Sequence, residues 1–494
     1  MSQRGESQSP KKVVLAVIDA LDPVALERAV DDGAAPALAA LMDRGVYVDD
    51  CVSTFPSITP VAASAIATGL GPGESLVPSM NWYHRGEQRY VEYGSSFAAS
   101  RAFGVFRSLM DTVYNLNLAH LTQERRTVFE YLDDAGLRTA CTTYLIYRGR
   151  HRHEPSGDSP YRRLAEAAQF RHAVWGAREL FYADIFDTQA TGCFSTLGMP
   201  GQRDRHAGCV GAHLVENDLF DFLLFSLPDN DTFSHRAGTG AQPTSIAEAD
   251  RALDRMMAAA GGPEAFLDDH AVIVVSDHSH NDVLTASSLA ETLSDHRILQ
   301  PADMLPEEAE LAVCPGSRSG QVYVLDESRR AELTPRVAEE LHGIEGIDLV
   351  IHREDGHGVV WSERGELRFA PGGELADVRG APWSVDGDRA ALDLSVEHGV
   401  VRSEDYPLAL GRLWSALECP RAGDIFVSAS PGHEFLDWGG HDRVGGGSHG
   451  SLHRCDSLGV LLMSGIGPAS ADARERWSIE DVTPLVLEHF GIAE

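Results

Sequence analysis

Aspartates that close apolar runs are the residues of this chain best suited to chemistry. Residues 13–18 (Val-Val-Leu-Ala-Val-Ile) run into Asp19, residues 222–225 into a loop holding Asp229 and Asp231, and residues 271–276 into Asp277. His235 stands four residues after Asp231, and His278 directly follows Asp277. Carboxylates mixed with imidazole on rigid strand ends suit a catalytic divalent cation. Thr59, in Thr54-Phe-Pro-Ser-Ile-Thr-Pro60, is a candidate nucleophile. Pro60 fits a first helical position, which makes Thr59 the N-cap and sets its hydroxyl at the positive end of the helix dipole. A cation coordinating that oxygen would lower its pKa further. Each feature alone has a plainer reading, because aspartates at strand ends cap helices and Thr-Pro is an ordinary helix start. Repetition of the pattern in one strand context carries the metal reading.

The three apolar runs are continuous rather than alternating, as in strands buried on both faces of a parallel sheet. In such sheets ligands bind beyond the carboxyl ends of the strands, where the three acids converge. Residues 23–32, 36–44, 61–68, 126–135, 161–189, 245–260 and 479–490 read as helices, and 46–48, 138–145 and 458–463 as further strands. Residues 97–116 place Phe97, Phe103, Phe106, Met110, Val113 and Tyr114 near helical spacing, which predicts an amphipathic helix or helix pair. From about residue 305 short strands with turn signals surround one helix at 335–341. The expected fold is α/β, a mostly parallel central sheet with helices on both faces and a small α+β cap insertion. Its expected division is 1–304 as the first part of the core, 305–428 as the cap and 429–494 as the core's C-terminal part.

The net charge of −33 argues against binding duplex nucleic acid or anionic lipid. An anionic small molecule stays open, because a bound dication reverses the local field. Seven scattered cysteines without a CxxC spacing predict buried thiols in a reducing compartment. The polar first twelve residues and the lack of a span-length apolar segment add the expectation of a soluble cytoplasmic protein. The oligomeric state is not legible.

Taken together, Val17-Ile-Asp19, Ala35-Pro-Ala-Leu38, Phe55-Pro-Ser-Ile-Thr59 and Ala67-Thr-Gly-Leu70 resemble the alkaline phosphatase superfamily, in its type I phosphodiesterase or nucleotide pyrophosphatase/phosphodiesterase branch. Asp231-Thr-Phe-Ser-His235 is similar to that family's Asp-x-x-Gly-His, and Ser276-Asp-His278 to its Ser-Asp-His-Gly, with Ser234 and Ser279 in place of glycines. Gly447-Ser-His-Gly450 resembles its late His-Gly element. The resemblance implies two divalent metal ions, zinc in the first instance with manganese as the alternative. Asp231, His235 and His449 would hold one; Asp19, Thr59, Asp277 and His278 would hold the other. It implies attack by Thr59 on a small phosphodiester, nucleotide or lipid, through a phosphothreonine. Asn81, in Met80-Asn-Trp-Tyr83, matches an asparagine that donates to a nonbridging phosphate oxygen in that family. The His-Gly pair that usually precedes this asparagine is absent, since Gly73-Glu-Ser-Leu76 occupies the stretch.

A sulfatase would need a Cys- or Ser-x-Pro-x-Arg nucleophile, which Cys51-Val-Ser-Thr-Phe55 does not supply. A phosphonate hydrolase, a phosphomonoesterase and a non-catalytic metal-binding relative remain as alternatives. For substrate contacts the sequence offers Trp82 and Tyr83 as base-stacking rings, or core. It also offers the basic run Arg148, Arg150, His151, Arg152 and His153 as an anion-steering patch, or a solvated loop. The 97–116 face could be a lid over a lipid tail, or simply packing.

Overall fold

The computed structural model describes residues 10–155, 170–301 and 305–493. Lys12–Ile18 is an inner strand of an eight-stranded sheet. It pairs in parallel with Phe222–Leu227 on one side and His270–Val275 on the other. Leu458–Ser464 joins antiparallel beyond His270–Val275, and Val46–Val52 closes that edge. Thr139–Cys141, Glu179–Tyr182 and Phe186–Asp187 build the opposite edge.

Alternate residues of Lys12–Ile18 enter two separate cores. Val13, Leu15 and Val17 pack with the helices Thr59–Thr68 and Val482–His489. Val14, Ala16 and Ile18 pack with Pro23–Asp31, Pro36–Arg44, Arg203–Glu216 and Gln242–Ala258. Burial on both faces is why the strand sequences are unbroken apolar runs. Because Lys12–Ile18 and its two parallel neighbours are in register, Asp19, the loop after Leu227 and Asp277 leave the sheet side by side.

A nine-stranded, mostly antiparallel sheet lies between Leu311 and Ala429. Arg330–Leu341 packs on one of its faces and Ala409–Glu418 on the other. No described helix is long and apolar enough to cross a membrane.

Three local expectations are corrected, and the helix pair allowed for residues 97–116 is found with a π-helix added. Residues 161–169 of the expected 161–189 helix lie outside the described residues. Its later part is strand, at Val174–Gly176, Glu179–Tyr182 and Phe186–Asp187. Glu179-Leu-Phe-Tyr182 is wholly buried on the sheet edge, so tertiary pairing overrides helical spacing there. Residues 97–116 divide at Gly104, whose φ of 96° separates Phe97–Phe103 from Val105–Met110, and a π-helix, Asp111–His120, follows. Thr59 is the first residue of its helix, and Ile58 is the N-cap. Finally, Cys193 and Cys209 are disulfide-bonded, and the other five cysteines are free. Such bonds persist in oxidising compartments, so cysteine usage no longer argues for a reducing one.

Candidate active site

The left-handed backbone of Ala20 (φ 56°) turns the chain immediately after Asp19. That turn lets Ala20 donate its N–H to Asp277 Oδ1 at 3.1 Å, and the same oxygen accepts the His278 N–H at 3.0 Å. An uncommon backbone at this point is structurally held, as functional turns often are. Asp231 and His235 lie one turn apart in the helix Asp229–Ala237 and so share a face. His235 Nε2 is 3.2 Å from Asp231 Oδ1. His278 Nε2 lies 3.3 Å from Asp277 Oδ2, 3.7 Å from Asp19 Oδ1 and 3.2 Å from Thr59 Oγ1.

Two groups of side chains are close enough for each to hold a cation, Asp231/His235/His280/His449 and Asp19/Asp277/His278. They adjoin: the rings of His278 and His449 stack with centroids 3.7 Å apart. Their tautomers follow from their outer partners. His449 Nδ1 is 2.9 Å from the Ser57 carbonyl, His235 Nδ1 2.7 Å from that of Gly447, and His278 Nδ1 3.2 Å from that of Ser279. A carbonyl can only accept, so each Nδ1 carries a proton, which leaves Nε2 as the nitrogen that can offer a lone pair to a cation.

The electrostatics fit a cation. Burial first, then the neighbouring Asp277 and Asp231, pushes the Asp19 carboxyl well above its ordinary range. Its Oδ1 is buried without a hydrogen-bond partner. A positive ion would satisfy that oxygen and remove the like-charge repulsion. Asp231 lies well below the carboxylate range, because His235 and His280 outweigh the burial that opposes ionisation. Burial, reinforced by neighbouring histidines, lowers His449 strongly and His280 to about 3, leaving both as the neutral imidazole a metal takes.

Asp19, Thr59, Asp231, His235, Asp277 and His449 line a cavity of about 910 Å³. All seven expected metal-ligand positions are therefore brought together. Asn81 is not: it is buried away from this cavity, its Nδ2 donates to the Val91 carbonyl at 2.9 Å, and Met80 takes the place on the wall. This placement does not support the phosphate-donor role expected for Asn81: one of its two amide hydrogens is used within the Asn81–His84/Arg89–Glu92 hairpin, and its side chain does not line the cavity. Trp82 and Tyr83 are core residues as well, Trp82 giving its indole N–H to Tyr93 Oη. The basic run is neutralised: Arg148 and Arg150 pair with Glu130, His151 with Asp133 and Arg152 with Glu154. The rings on the cavity wall are instead Tyr93, Phe97, Tyr144 and Tyr182, and its cationic side chains include Arg203, Arg236 and Arg443. His280 was missed by the sequence reading, and its one signal is its place two residues beyond His278.

The wall segment Gly94–Ser95 is held by Glu92, whose Oε1 accepts both N–H groups. Burial lifts the Glu92 carboxyl to about 7 against those donors. A carboxyl raised in the folded state contributes stability that is complete below its unfolded pKa and is lost as pH rises through about 7. Glu92→Gln keeps the acceptor and removes the charge. Relative to the parent, its stability should rise between pH 5 and pH 8 by up to roughly 3 kcal/mol. Urea melts at both pH values check this; a difference that does not change with pH contradicts it.

Residues 13–452 match the type I phosphodiesterase / nucleotide pyrophosphatase family. The chain belongs to that family. It is accordingly a hydrolase of phosphoric ester bonds, in the alkaline phosphatase superfamily, whose members depend on metal. Murine ectonucleotide pyrophosphatase/phosphodiesterase 5 shares the fold at a TM-score of 0.58 and 12% identity, covering 98% of this chain and 96% of that one. An inactive threonine-to-alanine variant of the murine protein, in complex with AMP, superposes with a TM-score of 0.57 at 12% identity over the same shares. Phosphonoacetate hydrolase from Sinorhizobium meliloti 1021, in complex with phosphonoformate, gives 0.53 at 17% identity, again over 98% and 96%. No curated protein sequence matches this family member.

Proposed function

We propose that the protein hydrolyses a small phosphodiester or phosphoanhydride, with Thr59 as nucleophile and two divalent metal ions. Zinc is the first choice and manganese the alternative. Asp231, His235 and His449 would hold one ion; Asp19, Asp277, His278 and the Thr59 hydroxyl would hold the other. The observation that carries this reading is the junction of the two ligand sets through the stacked His278 and His449 rings, with Thr59 Oγ1 beside His278 on the cavity wall. When bound, the ions supply positive charge that favours the threonine alkoxide and the charged phosphoryl oxygens. Thr59 Oγ1 then forms a bond to phosphorus as the leaving-group oxygen departs in line. Water breaks the resulting phosphothreonine and returns the hydroxyl to Thr59. Thr59 opens its helix, so the helix dipole also favours negative charge at this oxygen.

A nucleotide is the favoured substrate class. The cavity accommodates one in volume, its rings offer stacking surface, and Arg236 on its wall offers positive charge to a phosphate, while Arg203 and Arg443 there are paired with Asp229 and Glu434. The murine relative's complex with AMP supports the same choice. The fold shared with phosphonoacetate hydrolase makes a phosphonate the second reading. Metal-stripped protein reloaded with zinc or manganese should hydrolyse a chromogenic nucleotide diester about 100-fold better, by kcat/KM, than a monoester, phosphonoacetate or a lysophospholipid. Chelator should abolish that turnover. Turnover indifferent to chelator, or a preference for phosphonate or monoester, would refute this assignment.

A further inference from the structure

His280 and Ser234 stand outside the ligand set assigned above, yet they sit in contact with it. His280 Nε2 is 3.0 Å from Asp231 Oδ1, no farther than His235 Nε2 at 3.2 Å and nearer than His449 Nε2 at 3.7 Å. The nitrogens and carboxylate oxygen of Asp231, His235, His280 and His449 all lie within 4.8 Å of one another. His280 is buried and absent from the cavity wall, so it reaches this point from the protein interior. A ligand on that side would complete a tetrahedral protein set, so a substrate oxygen reaching this ion from the cavity would make it five-coordinate.

Its partner differs from those of the other three histidines. Where they meet carbonyls, His280 Nδ1 meets the Ser234 hydroxyl at 2.8 Å. Gln242 Nε2 donates to the same oxygen at 3.1 Å and holds it in place. A hydroxyl can donate or accept. It can give its proton to Nδ1 while Nε2–H bonds Asp231, and accept from Nδ1–H once Nε2 is turned over to a cation. The serine that replaces the expected glycine in Asp231-Thr-Phe-Ser-His235 thus supplies the outer contact that the extra histidine requires.

We infer that His280 is a fourth protein ligand of the Asp231/His235/His449 metal ion, and that Ser234 is the positioning residue that fixes its ring. The inference rests on the two-metal reading above. It makes the two sites chemically unequal: three imidazoles and one carboxylate in one, two carboxylates with one imidazole and a hydroxyl in the other. Nitrogen-rich sites favour zinc and cobalt, oxygen-rich ones accept manganese or magnesium, so the first site should load first with zinc.

The test is a zinc titration of metal-stripped protein against a chromophoric chelator, with visible spectra of the cobalt(II) form. The parent should bind two ions in two steps. His280→Ala should weaken the tighter step at least about 100-fold, spare the weaker one and alter the cobalt absorption bands. Ser234→Ala should weaken the same step about 10- to 100-fold and leave the His280 ligation visible in the cobalt bands. Circular dichroism of the metal-free variants verifies folding, and Ser234→Ala, which removes only an oxygen, serves if His280→Ala does not fold. Weakened binding with an unchanged cobalt spectrum would make His280 a hydrogen-bond donor to Asp231 and overturn the inference. Two ions bound by His280→Ala as tightly as by the parent would overturn it too. Binding of no metal by the parent would instead refute the two-metal reading beneath it.

Discussion

Replacing Thr59 with alanine should lower turnover of a phosphodiester about 10³- to 10⁴-fold, a loss of about 4–5.5 kcal/mol of transition-state stabilisation. The residue is half-buried on the cavity wall, with its hydroxyl 3.2 Å from His278 Nε2 and no large side chain to leave a void. At the first position of a helix, alanine costs little. The substitution therefore separates chemistry from folding. KM should move far less than kcat, because the interaction lost is made in the transition state. Thr59→Ser keeps the oxygen and should retain a measurable part of the activity. Steady-state kinetics on zinc-loaded protein decide the matter. An alanine variant within tenfold of the parent would remove Thr59 from the reaction.

The largest stability effect should come from Arg318. Its guanidinium and the Asp456 carboxylate are wholly buried, with Nε and Oδ2 3.1 Å apart. Asp456 also accepts the Ser451 N–H at 2.7 Å and the Ser451 hydroxyl, while Arg318 Nη1 donates to the His433 carbonyl at 2.9 Å. Burial raises the Asp456 pKa, but Arg318 and the Ser451 donors outweigh it and hold the group below its ordinary value. A depressed carboxyl contributes stability above its unfolded pKa and loses it as pH falls through the folded one, so neutral pH is where the pair counts fully. Arg318→Met leaves the carboxylate buried and unpaired, which should cost about 3–5 kcal/mol at pH 7. Arg318→Met/Asp456→Asn should recover part of this, since no lone charge remains. Denaturant melts of the three proteins measure both numbers; a single-variant loss below about 1 kcal/mol would contradict the argument. The pair also matters to the site, because the Arg318 backbone N–H donates to the His449 carbonyl at 2.9 Å.

The sequence by itself determined the sheet and which acids leave its strand ends together. An unbroken apolar run has one stable placement, covered on both faces, so the strands bearing Asp19 and Asp277 and the run leading to Asp231 were legible from local composition alone. The histidines paired with two of these acids by short spacing, and His449 became visible through its resemblance to a known motif. What lay beyond reach depended on contacts between distant segments. Asn81 matches the expected motif, but the hairpin that claims its amide forms only when Val91 lies opposite Trp82. Arg148 looks like a surface cation in the sequence and is buried against Glu130. Cys193 and Cys209, sixteen residues apart, are brought together by the packing of the helix Arg203–Glu216. His280 gains its place only because Ser234, on another element, lies within hydrogen-bonding distance of it. Periodicity and residue type report which face of an element is buried; which side chain ends beside which is decided by tertiary packing, where each polar group must find a partner before it can be buried.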